Sequence, residues 1–227
     1  MKVAVITGCN RGAGYGILKE LLANRYTVYG FNKTPLKEDL KNYHDIRCDI
    51  SNMEEIQYAC SQVKKVDLLV LNAGIRRFGG IGDLTLKDFS DSIDVNLKGP
   101  FYILSCLVDK LKENKGHVVF IGSHAGDYPF AKGAAYCSSK AALHVMAECF
   151  MEEVRHTGVR STVLSLGAIK NRDHGIDEEW KIKPEEIGKA IVSLAKLPPN
   201  LLPSYINLRP TSPLELPFDG IEILQYK

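Results

Sequence analysis

Seven short apolar runs rich in β-branched residues recur along the chain: VAVIT (3–7), TVYGF (27–31), DIRCD (45–49), DLLVLNAG (67–74), HVVFIGS (117–123), VRSTVLSL (159–166) and SYINL (204–208). Helical patterns fill the intervals. Strands that alternate with helices and are apolar on both faces need cover above and below, which a parallel sheet between two helical layers provides. The pattern predicts an α/β fold, a doubly wound, Rossmann-like parallel sheet with helices on both faces. Local signals agree: Ser51-x-x-Glu54 resembles a capping box, Thr85 stands where a helix begins, and Pro184 with Glu185 and Glu186 suits a first helical turn. The 227 residues exceed one typical domain and fall short of two, so one unit over 1–227 is expected, its tail from about 210 (PTSPLELPFDG) being irregular surface chain.

A formal net charge of +2, without a run of five like charges, offers no pull toward nucleic acid or an anionic membrane. The opening MKVAVIT is too short for a signal peptide, and no stretch approaches the ~20 apolar residues of a membrane helix, so a cytoplasmic protein is expected. Six cysteines lie scattered without a CxxC pair, and six histidines lack any HExxH spacing, so reduced thiols and no metal are expected.

TGCNRGAGYG follows the first strand directly and opens a helix. Glycines there let backbone approach a pyrophosphate, and a helix N-terminus attracts its charge. Gly8, Asn10, Arg11, Gly12 and Gly14 are therefore cofactor candidates. An NAD site usually offers a carboxylate at the end of strand two, but here the chain reads Phe31-Asn32-Lys33-Thr34. A neutral Asn32, then Lys33, with Arg11 in the glycine turn, would tolerate or pair a 2′-phosphate, which favours NADP(H) over NAD(H). The alternative is that Lys33 and Arg11 are solvated surface charges. Asp49, with Ile50 beside it, ends the third run and can accept from an adenine amino group or help cap the helix near Ser51. Asn72-Ala73-Gly74 ends the fourth run, where ligands of open α/β sheets collect.

Tyr136 and Lys140 lie four apart in AAYCSSKAALHVMAECF, which reads as helix, with Ser123 thirteen residues upstream of the tyrosine. Residues four apart share a helix face, so an ammonium beside a phenol can lower a pKa of ~10 toward the range of a useful general acid. Of four Tyr-x3-Lys pairs, Tyr15/Lys19, Tyr29/Lys33 and Tyr128/Lys132 lack this combination of helix and serine.

With TGCNRGAG, LNAG, Asn96 in DVNLKG, Ser123 in IGS and YCSSK in order, nearly the whole chain resembles the short-chain dehydrogenase/reductase family, in its compact branch with TGxxxGxG. The resemblance implies that Tyr136 exchanges a proton, Lys140 lowers its pKa and holds the nicotinamide ribose, Ser123 hydrogen-bonds the substrate oxygen, and Asn96 supports a water relay. It implies an NADP(H)-dependent oxidoreductase interconverting a ketone or aldehyde with an alcohol, as a homodimer or homotetramer. One departure is Leu166-Gly167-Ala168-Ile169-Lys170-Asn171 in place of Pro-Gly and a Thr near the nicotinamide; backbone at Ile169 and the side chain of Asn171 can substitute. Lys170, Arg172, His174 and Trp180, with Arg76 and Arg77 after NAG, suggest a polar or acidic small-molecule carbonyl substrate. His124, Cys137 and His144 are expected to pack. The alternatives are a catalytically silent dinucleotide-binding scaffold or sensor and an NAD-dependent alcohol dehydrogenase.

Overall fold

The computed structural model describes residues 1–170 and 179–211. In order come β1 (Lys2–Thr7), α1 (Gly12–Ala23), β2 (Tyr26–Asn32), β3 (Tyr43–Arg47), α2 (Met53–Ser61), β4 (Leu68–Leu71) and α3 (Leu86–Ile93). A π-helical turn (Asp94–Lys98) leads into α4 (Gly99–Asn114). Then follow β5 (His117–Ile121), the short α5 (His124–Asp127), α6 (Ala134–Val154), β6 (Arg160–Leu166), α7 (Pro184–Lys196) and β7 (Tyr205–Leu208).

Each of the seven runs yields a strand, and all pair in parallel in the order β3-β2-β1-β4-β5-β6-β7. Crossovers therefore part in opposite directions at the β1/β4 junction, which opens a crevice at the carboxyl ends of the strands. Alternation along each strand divides the core. Val5, Leu69, Leu71, Val118, Phe120 and Val163 face one cluster with residues of α2, α4 and α6. Ala4, Ile6, Leu68, Val70, Val119 and Leu164 face the other, with residues of α1 and α7. Such side chains contribute about 1.5–3 kcal/mol each when fully buried.

Two expectations shift. The third strand begins at Tyr43, before DIRCD, and has only half-buried and exposed residues because it forms an edge. The cap of α2 is Asn52, not Ser51: its side-chain oxygen accepts from the amides of Glu54 (2.9 Å) and Glu55 (3.1 Å), while the Ser51 hydroxyl donates to Asp49 at 2.7 Å. Thr85 does cap α3, accepting from the Asp88 amide at 3.0 Å, and Pro184 opens α7. Among the described residues no helix is long and apolar enough to cross a membrane. Of the tail expected from about 210, residues 212–227 lie outside the described residues.

α1 and α7 touch backbone to backbone. A Cβ on Gly16 would stand 2.3 Å from the carbonyl carbon of Pro184 and 2.7 Å from the Glu185 nitrogen, and one on Gly188 would stand 2.8 Å from the Gly16 oxygen. Main chain cannot yield as a rotamer can, so Gly16→Ala should destabilise the fold by about 1–3 kcal/mol. Urea unfolding checks this; an unchanged midpoint and slope would show that the helices part at no cost.

Candidate active site

The turn from β1 to α1 is shaped by two left-handed glycines, Gly8 (φ 65°) and Gly12 (φ 54°). A third, Gly14, lies so close to the turn that a Cβ would come 2.1 Å from the Gly8 oxygen. Arg11 stands at the N-cap of α1 in extended conformation, exposed, and neither a capping side chain nor a first-turn carboxylate occupies that helix end. Its amides and dipole are thus open to an external anion, so the residues fit the pyrophosphate of a dinucleotide. Asn10 donates to the Thr34 carbonyl at 3.0 Å and ties this turn to the loop after β2. Asn72, at the end of β4, donates to the carbonyls of Thr7 (3.0 Å) and Gly8 (2.9 Å). Ala73 packs under Gly8, whose added Cβ would approach the Ala73 Cβ to 3.0 Å.

Beyond β2 the side chains divide. Asn32 is buried and turned inward: its oxygen accepts from the Cys9 amide at 2.8 Å, and its nitrogen donates to Tyr43 Oη (2.8 Å) and Asp45 (2.7 Å). It fixes the glycine turn and does not present its amide to solvent. Burial pushes the Cys9 thiol up to about 11. Lys33 projects outward and pairs with Asp49 at 2.6 Å. Partial burial pushes the Asp49 carboxyl up, but the bonds from Lys33 and Ser51 outweigh it and hold the group below its ordinary value. Ile50 is buried, and its carbonyl oxygen would lie 2.5 Å from a Cβ at Gly99.

Ser123, Tyr136, Lys140 and Asn96 converge beside the β4 end. Ser123 ends the segment after β5 and caps α5, its oxygen accepting from the Ala125 amide at 3.2 Å. Tyr136 and Lys140 come from the first half of α6. Burial raises the Tyr136 phenol above its ordinary range; a hydrogen bond with Ser123 and the charge of Arg76 oppose this. The Lys140 ammonium donates to the Ile121 carbonyl at 2.8 Å, and burial pulls its pKa down to about 8. A buried ammonium thus takes a main-chain acceptor, and in this arrangement burial leaves the phenol raised.

Asn96 is fully buried in the π-helical turn. Its oxygen accepts from the Ile75 amide (2.8 Å), and its nitrogen donates to the Ile75 carbonyl (2.9 Å) and Ser139 Oγ (2.9 Å). A Cβ on Gly74 would meet Asn96 Oδ1 at 3.1 Å and Lys140 Nζ at 3.6 Å, so both polar atoms line one side of Gly74.

Aromatic side chains wall the phenol. Phe78 meets Tyr136 edge-on at 5.7 Å and Phe130 at 5.7 Å. Of the cations singled out in the sequence, Arg77 pairs with Asp88 at 3.1 Å and Lys170 pairs with Glu179. Arg76 is exposed and forms no ion pair among the described residues. Ile169 pairs with Ile182 in an isolated parallel bridge that uses the Ala168 carbonyl and the Lys170 amide, not those of Ile169 itself. Asn171, Arg172, Asp173 and His174 lie outside the described residues. His124 bonds Arg209 and lies tilted against Tyr128, ring centroids 4.4 Å apart, while Cys137 is buried against Gly133. The residues unforeseen from sequence are Thr7, whose hydroxyl bonds the β4 turn, and Asp127, which gathers His144, Ser165 and Tyr205. Their separation along the chain left no local signal.

The model of the short chain dehydrogenase family matches residues 2–179. An uncharacterized oxidoreductase of Staphylococcus saprophyticus is 29% identical over 92% of this chain and 97% of its own. Sepiapterin reductase of Chlorobaculum tepidum is 32% identical over 74% of this chain and 72% of its own. Among solved structures, an alcohol dehydrogenase from the archaeon Thermococcus sibiricus, complexed with 5-hydroxy-NADP, superposes with a TM-score of 0.84 at 26% identity, covering 93% of this chain and 97% of that one. With its parallel Rossmann-like sheet, its glycine turn and these relatives, the chain belongs to the short-chain dehydrogenase/reductase family of oxidoreductases.

Proposed function

We propose that the protein is an NADP(H)-dependent oxidoreductase that interconverts a polar ketone or aldehyde with its alcohol. The observation that carries this reading is the convergence of the Ser123 hydroxyl, the Tyr136 phenol and the buried Lys140 ammonium at the crevice where the glycine turn lies. When bound, the nicotinamide supplies or accepts the hydride. Gly8, Gly12, Gly14 and the open N-terminus of α1 would hold the pyrophosphate, and Asn10, Ile50, Asn72, Ala73, Gly74 and the backbone of Ile169 would line the remainder.

Tyr136 then moves the proton at the substrate oxygen, and Ser123 donates a hydrogen bond to that oxygen as charge develops on it. Lys140 is poised beside Gly74, where its ammonium can leave the Ile121 carbonyl for a ribose hydroxyl and come nearer the phenol. Asn96 keeps the Gly74–Ile75 turn in place behind it. Tyr136→Phe should lower carbonyl reduction by about 10²–10⁴-fold while leaving NADPH binding intact. Steady-state rates and cofactor titration by fluorescence check this; full activity without the phenol would favour a silent scaffold.

Exposed Arg11 and Lys33 at the adenosine end, with Asn32 and not a carboxylate as the last residue of β2, support a 2′-phosphate, for which Lys33 would exchange its Asp49 partner. The Thermococcus relative, solved with 5-hydroxy-NADP, is consistent with it. Replacing both by Ala should raise the KM for NADPH by about tenfold or more and leave that for NADH nearly unchanged. A wild-type preference for NADH would overturn the assignment in favour of an NAD-dependent alcohol dehydrogenase.

Arg76 and the edge of Phe78 beside Tyr136 support a carbonyl substrate bearing a negative charge. On matched neutral and carboxylated ketones, kcat/KM should favour the carboxylate, and Arg76→Ala should erase most of the difference. Equal rates with the wild type would remove this preference.

A further inference from the structure

Ser123 stands in front of a polar relay assembled from four parts of the chain: Asp127 at the end of α5, His144 on α6, Ser165 on β6 and Tyr205 on β7. His144, one turn beyond Lys140 on α6, has a side chain only 10% exposed. Its Nε2 faces the main-chain amide of Ser123 at 3.3 Å. Its Nδ1 lies 3.2 Å from Asp127 Oδ1. The other oxygen of Asp127 accepts from Ser165 Oγ at 2.9 Å and from the Tyr205 hydroxyl.

These contacts assign the tautomer. An amide N–H can only donate, so Nε2 must carry the lone pair, and the proton sits on Nδ1, where it donates to a carboxylate. The space for this ring is built in. A Cβ on Gly122 would stand 2.3 Å from Nε2, and one on Gly126 would stand 2.7 Å from Cε1, so the glycines on either side of Ser123 admit the imidazole.

We infer that His144 and Asp127 are positioning residues of this oxidoreductase: the neutral imidazole, oriented by the carboxylate, holds the Ser123 main chain and thereby aims its hydroxyl at the substrate oxygen. The inference rests on the reading of Ser123 given above. It also makes the serine sensitive to acid, since a second proton would set an Nε2–H against the Ser123 N–H.

Every charged or titratable group around the ring has a sign. Burial favours the neutral imidazole most strongly, Lys140 adds to this, and Asp127 and Glu148 oppose it, leaving the group below its ordinary value. The Tyr205 ring, edge-on at 5.6 Å from β7, carries a phenol pushed up to about 12, chiefly by burial, and stays neutral. A histidine whose folded pKa is depressed gives its full stabilisation above the unfolded value of ~6.5 and loses it as the pH falls below that.

The test uses the full chain with NADP⁺. Nitrogen-15 NMR of the imidazoles should show His144 protonated at Nδ1 and bare at Nε2 at pH 7.5, and the Ser123 amide shift should follow its titration below about 6.5. In His144→Leu the Ser123 amide should lose hydrogen-exchange protection, and kcat with 4-nitrobenzaldehyde and NADPH should fall by about tenfold with the NADPH KM unchanged. His144→Gln returns an acceptor that cannot titrate, so it should recover most of the protection and rate and flatten the acid limb of the pH profile. A proton on Nε2, or a Ser123 amide indifferent to all these changes, would overturn the relay. Should His144→Leu not fold, the wild-type tautomer and the His144→Gln profile still decide. A wild type inactive on the aldehyde would count against the proposed function, while the two NMR readouts would still judge the relay.

Discussion

Thr7 and Asn72 bind the two halves of the sheet where their crossovers diverge. The Thr7 hydroxyl oxygen accepts from the amides of Asn72 and Ala73, both at 2.9 Å, and the Asn72 side chain returns two bonds to the carbonyls of Thr7 and Gly8. Two side chains thus satisfy main-chain groups that the strand ends would leave open. The glycine turn, the Ala73–Gly74 turn and, through Asn96, the Ile75 backbone become one rigid rim. The glycine turn and Asn96 are referred to that rim directly, so their geometry rests on a few short bonds and not on the loops above.

Beneath the rim the polar groups are few and costly. Asn96 reaches Ser139, whose hydroxyl donates to the Tyr136 carbonyl at 2.8 Å, so the position of the tyrosine is coupled to the π-helical turn. Lys140 donates to the Ile121 carbonyl, and burial, which favours the neutral amine, pulls its pKa down to about 8. Strongly perturbed groups in a cleft belong to functional sites more often than to structural ones. The same crevice joins a buried cation, a phenol raised by burial and a serine hydroxyl.

The central strands were legible because burial on both faces writes itself as a largely apolar run; β3 and β7, the sheet edges, lack fully buried residues. Ser123, Tyr136 and Lys140 were legible because helix spacing and strand ends carry them to one place. What escaped depended on contacts between remote segments. Asn32 reads as a surface residue at a strand end, yet β3 supplies Tyr43 and Asp45 to bury it. Ser51 and Asn52 are both good caps, and the choice fell to the one whose oxygen meets two amides. His144 looks like a core residue until Asp127, 17 positions earlier, gives its ring a direction.

The pairing of Ile169 with Ile182 has a further consequence. The chain leaves the sheet after β6 and is brought back to nearly the same point before α7, which is itself seated on α1. Whatever is spliced between those two positions closes on a fixed base, and closure entropy grows only slowly with length. A change in the length of chain joining them therefore costs little closure entropy and leaves the seat of α7 on α1 as it is.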